Sequence, residues 1–429
     1  MTLLQPQAFP ARPVQRKHQV RIAPVYRDFV VFALWCLVTF VQFRGDQLIL
    51  YPLAAYYAWA ILRDQAKIAP LLARGWVLLL FPAWCLVSPL WAVEPGEAFK
   101  NAVYLILTIM ICFQVAATMS PRQILHALLL ATGVIGVINL IYGFGTGDVR
   151  TGIFPQKNAM GKSMVILWVI ASAVMLDRGS AWWVRLVALA LAMIAAVTAY
   201  LSDSATAVLL VLATGMITVA GAIFLLGGLF RASKLAGLFF TIAFIAAVGS
   251  FVLPSFETNV VDAVLDHFGK DSTLTGRTVL WSYAEMQIEE TPYLGVGAHG
   301  YWRYWASPDV QKIFADFNKR STDFFNFHNS AYEIAVHQGL IGLTLAAITL
   351  AWGLLQVTRG AFFIATLPQI FFFTQALAVV VRISTESDFL RPFTLFHMIL
   401  WIGALSTIRE LDARRRASRA SADPGRFAA

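Results

Sequence analysis

The stretch PRQILHALLLATGVIGVINLIYGF, residues 121–144, decides the fold class. From Gln123 to Phe144 it holds no Asp, Glu, Lys or Arg. As an α-helix these residues would run roughly 33 Å, about the thickness of a bilayer's hydrocarbon core. Similar apolar runs recur along the whole chain. They predict spans at 28–43, 47–62, 71–90, 98–119, 121–144, 158–177, 181–201, 204–229, 234–253, 328–356, 361–381 and 390–408. Composition agrees: 59% of residues are hydrophobic and 13% charged, whereas a soluble domain carries about 25% charge. Mean hydropathy is +0.68. The chain reads as an all-α polytopic membrane protein of about twelve helices.

The net charge of +9 does not point to nucleic acid, because no basic stripe with interleaved aromatics appears. Placing the N-terminus in the cytosol puts 20 of the 33 Lys and Arg residues there, including Arg12, Arg16, Arg63, Arg74, Arg122, Arg359 and Arg409. The positive-inside rule therefore predicts cytoplasmic termini and an inner-membrane protein whose large loop is periplasmic. Residues 1–27 lack an apolar stretch before a small-residue cleavage site and read as a basic tail. Residues 28–253 then carry spans one to nine, 254–327 form the periplasmic loop, 328–408 carry spans ten to twelve, and 409–429 form a second basic tail. Cys36, Cys85 and Cys112 all fall inside apolar runs and offer neither a disulfide framework nor metal spacing.

Loops as long as 254–327 are uncommon unless functional. The stretch from Gly276 to Glu290 lacks helix breakers and predicts a helix, which Thr291-Pro292 ends; Gly295-Val-Gly297-Ala-His299-Gly300 predicts a tight turn. Arg150 and Lys157 stand where the positive-inside rule disfavours cations, either snorkelling at the interface or serving a ligand. Arg277 is either a solvated charge or a bidentate phosphate ligand. His328 opens the span after the loop and has the side chain suited to proton transfer near neutrality. Asn329 and Tyr332 add hydrogen-bonding groups beside it. His337 is expected to be structural, and exposure explains His299 as well as ligand contact does. Glu386-Ser-Asp388 could hold a divalent cation, but such pairs are frequent by chance, so no metal is implied. Gly161-Lys-Ser163 imitates the end of a phosphate-binding loop, yet Gln156 occupies the position of its first glycine.

Outer cations beside a candidate base suit glycosyl transfer from a lipid diphosphate, whose leaving oxygens need positive charge. Several segments strengthen that reading. Arg150-x-Gly152-x-Phe154-x-x-Lys157-Asn158, Gly276-Arg277-Thr-x-x-Trp281, Pro292-x-x-Gly295-x-Gly297 and His328-Asn329-x-x-Tyr332-Glu333, with Gly339-Leu-Ile-Gly342 beyond, resemble the O-antigen ligase and polysaccharide polymerase superfamily. Ser88-Pro-Leu-Trp91-Ala-Val-Glu-Pro95 resembles its early outer loop. Gly295-Val-Gly297-Ala-His299-Gly-Tyr301-Trp302 is most similar to its exopolysaccharide polymerase branch (Wzy-like, ExoQ-type).

The resemblance implies a GT-C-like helical fold and a metal-independent glycosyltransferase without cofactor. It also implies an undecaprenyl-diphosphate-linked donor, a glycan acceptor, and a flippase and chain-length regulator as partners. By the same resemblance Arg150, Arg277 and His328 are functional positions. The mechanism expected has Arg150, Arg277 and Lys157 holding the diphosphate and His328 activating an acceptor hydroxyl. Asn158, Asn329 and Tyr332 would contact substrate, and Trp281 and Tyr301 would offer stacking faces to sugars. A ligase moving finished polymer to lipid A-core shares these features. A transporter or flippase is the alternative of another class, although no internal repeat is evident.

Overall fold

The computed structural model of the protein describes residues 24–41, 43, 45–226 and 276–422. The predicted span at 234–253 and the first part of the outer loop lie outside them. All regular structure among the described residues is helical. Helices α1 (Pro24–Phe40) and α2 (Gln47–Arg63) precede a composite rod. That rod joins α3 (Gln65–Gly75) and α4 (Leu80–Val87) through a tight turn at Trp76–Leu79 and ends in another at Ser88–Leu90. Then follow α5 (Pro95–Thr118), α6 (Pro121–Thr146), α7 (Lys157–Leu176), α8 (Trp182–Leu201) and α9 (Ala205–Gly221). Seven helices among the described residues are long and apolar enough to cross a membrane.

The outer segment contributes α10 (Arg277–Glu290) and α11 (Pro308–Asp316). The chain returns through α12 (Ser330–Arg359), α13 (Leu367–Ile383) and α14 (Leu395–Ala422). Helix α14 runs beyond the predicted end at 408, because Arg-Glu-Leu-Asp-Ala-Arg is as favourable to helix as the apolar run before it.

Helix α7 packs against α6, α8, α9 and α13, while α14 packs against α5, α12 and α13. Their shared core includes the fully buried Trp35, Phe113, Phe371 and Trp401. Ring-bearing and aliphatic side chains such as Tyr51, Trp182, Trp183 and Met193 remain exposed on the outside of the bundle, where lipid replaces water as their neighbour.

One end of the bundle is closed by ion pairs and helix-end contacts. Arg122 Nε donates to Asp177 Oδ2 at 2.7 Å, and Gln114 Nε2 donates to Asp64 Oδ2 at 2.8 Å. Arg409 satisfies the carbonyls of Ala116 and Met119 at the end of α5. The outer segment and the 384–394 turn occupy the other end.

The outer segment has a core of its own. Leu280, Tyr283 and Ala284 repeat at helical spacing along one face of α10, and Val310, Ile313 and Phe314 do so on α11. Both faces bury against Phe325, Phe327 and Val336. Each large side chain so buried contributes about 1.5–3 kcal/mol, so this segment folds rather than merely spanning a gap.

Helix α12 is broken. Gly339 has φ 67°, ψ −178° in its middle, and the backbone groups this frees are taken by residues 292–297. Leu340 N donates to Pro292 O at 2.8 Å, Gly297 N to His337 O at 2.8 Å, and Val296 N to Val336 O at 3.1 Å. Trp84 Nε1 reaches Gln338 O at 3.0 Å, and Trp91 Nε1 reaches Leu294 O at 3.0 Å. Such a break at membrane depth is tolerated when protein groups re-satisfy the backbone. Gly295 must be glycine here: its φ is +66°, and a Cβ on it would stand 2.6 Å from Gly339 N.

Candidate functional site

The break directs the first turns of α12 and the segment before them. Trp281 Nε1 donates to Phe327 O at 2.9 Å, and Glu333 Oε2 accepts from Phe327 N at 3.1 Å while its Oε1 accepts from Trp302 Nε1 at 3.0 Å. Asn329 caps α12, accepting from Ala331 N at 2.9 Å and Tyr332 N at 3.3 Å. Held between these anchors, His328 adopts φ 51°, a left-handed conformation uncommon for a residue with a side chain. Such conformations cost of order 1–3 kcal/mol and gather at functional sites.

The facing wall is the turn between α13 and α14. Ser330 Oγ donates to Glu386 O at 2.6 Å, and Asn329 N donates to Ser387 Oγ at 3.0 Å. This turn also carries left-handed residues, Leu390 and Phe393. It brings Glu386 Oε2 to 3.9 Å from His328 Nδ1. That separation suits an ion pair and exceeds a hydrogen bond. Nδ1 is itself buried without a hydrogen-bond partner, while 25% of the side chain stays exposed. Burial alone would raise the Glu386 carboxyl, but the facing His328 and the Arg382 guanidinium outweigh it and hold it below its ordinary value.

Arg277, at the first turn of α10, is partly buried on the same side. Desolvation lowers its pKa, and the charge of Glu386 opposes that shift. Arg277, His328 and Glu386 thus share one electrostatic environment. Beneath them, Asp388 Oδ2 accepts from Lys162 Nζ at 2.8 Å and from Arg382 Nη2 at 2.9 Å. Burial would raise Asp388 too, but the two cations hold it far below the carboxylate range. Glu386 thus faces His328, while Asp388 is occupied by Lys162 and Arg382. No group of three or more His, Cys, Asp or Glu able to hold a metal occurs among the described residues.

The remaining sequence-predicted residues fall into two groups. Lys157 and Asn158 begin α7, where Lys157 Nζ pairs with Asp203 Oδ2 at 3.2 Å. Lys162, on the same helix about 7.5 Å further along, ties that end to Asp388. Arg150 is exposed on the loop before α7, and among the described residues no hydrogen bond or ion pair joins it to Arg277 or His328.

Trp281 stacks on Tyr332 with ring centroids 5.6 Å apart, and Tyr332 OH donates to Glu285 Oε1 at 2.6 Å. Tyr301 is only 5% exposed, packed against Trp302 and Phe327, and its face is not open to a sugar. Stacking at Tyr301 was expected only from the resemblance of its glycine- and aromatic-rich segment. Sequence reasoning missed Lys162, Arg382 and the pairing of Glu386 with His328. The one available signal was their charge, at positions where a bilayer tolerates few charges.

This geometry is that of a multi-pass membrane protein with a folded segment between its helices. The O-antigen ligase family model matches residues 188–347, a stretch that contains Arg277, His328 and the Gly339 break. The chain is also 26% identical over 380 residues to the exopolysaccharide production protein ExoQ of Rhizobium meliloti (strain 1021), covering 85% of this chain and 84% of that relative. The two findings support membership of the Wzy-like superfamily and a polysaccharide polymerase or ligase role.

Proposed function

We propose that the protein polymerises lipid-linked oligosaccharide repeats on the periplasmic face of the inner membrane, using undecaprenyl-diphosphate-linked donors. The observation that carries this reading is His328, in a left-handed conformation, with Nδ1 turned to Glu386 beside the partly buried Arg277. An acceptor hydroxyl attacks the donor's anomeric carbon and gives its proton to His328 Nε2. Glu386 stabilises the imidazolium that forms. The bond from the anomeric carbon to the diphosphate oxygen breaks, and its electron pair leaves with the diphosphate. Arg277 supplies the facing positive charge, so that stabilisation is greatest where charge develops. Lys157 and Arg150 add positive charge for the lipid diphosphate, and Asn158 adds a neutral hydrogen-bonding group. On this reading the arginines do the work a bound cation does in other sugar transfers, and no metal is needed.

Polymerase is preferred to ligase because the similarity to an exopolysaccharide production protein spans most of both chains. A deletion strain tests the choice. Accumulation of single lipid-linked repeats supports a polymerase, whereas long lipid-linked polymer with bare lipid A-core indicates a ligase. Elongation of a lipid-linked donor by purified protein without any gradient would exclude a transporter.

A further inference from the structure

Two stretches of the outer segment close on each other beside His328 and leave a cleft. Residues 302–306 form one wall, and Ser321 with residues 323–325, which lead toward His328, forms another, with Phe314 between them. The cleft has a volume of about 390 Å³, within the range of ~300–1,000 Å³ common for small-ligand sites. Its lining includes the rings of Trp302, Tyr304, Trp305, Phe324 and Phe325. Phe325 belongs to the segment's core, but Trp305 is 82% and Phe324 65% exposed. Tyr304 meets Trp305 edge to face at 4.8 Å and the Arg391 guanidinium lies 5.0 Å from the Phe324 ring centroid, yet both rings stay mostly exposed at one concavity, as at a binding surface.

The polar lining selects the occupant. Arg303, Ser321 and Asp323 stand among the rings. Asp323 Oδ2 accepts from Arg320 N at 3.0 Å, which fixes that carboxylate at the cleft, and Arg303 Nε is held by Glu94 Oε1 at 2.9 Å. Hydrocarbon would not accept these charges. A pyranose would accept both features: its C–H face lies on a ring, and its hydroxyls donate to a carboxylate and accept from a guanidinium.

The cleft is joined to the site. The Phe325 ring lies 6.1 Å from the His328 imidazole, edge to face. Trp302 lines the cleft and hydrogen-bonds Glu333, the residue that also holds Phe327 N.

We infer that this cleft is a glycan-binding subsite, holding the terminal sugars of the acceptor on Trp305 and Phe324 so that the next hydroxyl reaches His328. The inference rests on the glycosyl-transfer reading but is tested apart from turnover. The probe is the set of oligosaccharides released by mild acid from the polysaccharide the host secretes. It is titrated calorimetrically into the full chain carrying His328→Gln, in nanodiscs, where no transfer consumes it. Binding is expected, weakened about 3- to 10-fold by Trp305→Ala and by a similar further factor with Phe324→Ala added.

Both rings are exposed, so their loss leaves the fold intact, which size-exclusion elution verifies. Absence of binding, or equal affinity in the doubly substituted protein, overturns the subsite. So does quenching of the Trp305 emission, taken as the difference from Trp305→Phe, by brominated phospholipid in the disc, since the rings then face lipid. Undiminished turnover by His328→Gln would instead overturn the catalytic reading and leave the titration result standing.

Discussion

Nδ1 of His328 stands 3.9 Å from Oε2 of Glu386, and the contact is made by two segments that the chain reaches on either side of a pair of helices, α12 and α13. Ser330 Oγ donates to the Glu386 backbone carbonyl, which anchors the main chain beside His328. An imidazole whose inner nitrogen faces a fixed carboxylate can accept a proton on its outer one and be stabilised as a cation.

Glu386→Gln removes that stabilisation while keeping shape. Turnover should fall by about 10²-fold or more, measured on purified protein with lipid-linked oligosaccharide. Stability should respond to pH with a definite sign. The folded carboxyl lies below its ordinary value, so its contribution is present above about pH 4.3 and is lost as the pH falls through the folded value. Melting curves of the wild type and Glu386→Gln should therefore converge in acid.

Arg277→Lys keeps the charge but loses the planar fork. With charge-assisted hydrogen bonds worth about 1.5–3 kcal/mol, turnover should fall about 10- to 100-fold in a correctly inserted protein. Wild-type turnover would remove Arg277 from the diphosphate site.

Asp388→Asn leaves Lys162 and Arg382 facing a neutral group, and the Arg382 side chain is only 5% exposed. Breaking one member of a buried ion network costs about 3–5 kcal/mol. A clear drop in the apparent melting temperature in detergent is expected, together with lost activity.

Gly295→Ala forces a Cβ against the backbone of the α12 break at a positive φ. The outer segment should detach from α12, lowering the yield of folded protein and increasing proteolysis between residues 276 and 327. Gly96→Ala, where a Cβ meets nothing within 4 Å, is the matched control and should behave as wild type.

Much of this architecture was legible in the sequence. Apolar runs marked most helices, since hydropathy averaged over a span reports lipid burial directly: α6 was expected from 121 to 144 and runs from Pro121 to Thr146. The helix bearing Arg277 and its end at Thr291 followed from the lack of breakers and then a proline. What escaped were features set by single residues. One positive φ at Gly339 leaves the mean hydropathy of α12 unchanged, and nothing local shows that residues 292–297 fill the gap. The place of Glu386 beside His328 escaped because spacing shows which carboxylates are near each other in sequence, not which histidine from another segment lies close. Tyr301 looked available because aromatic residues in a loop read as exposed, whereas this loop has its own core.

The most direct test of the central claim is turnover of a lipid-linked oligosaccharide by purified wild type and by His328→Ala. Removing the base is expected to cost about 10²- to 10⁴-fold in rate. A His328→Ala protein that turns over within a few-fold of wild type would contradict the base assignment.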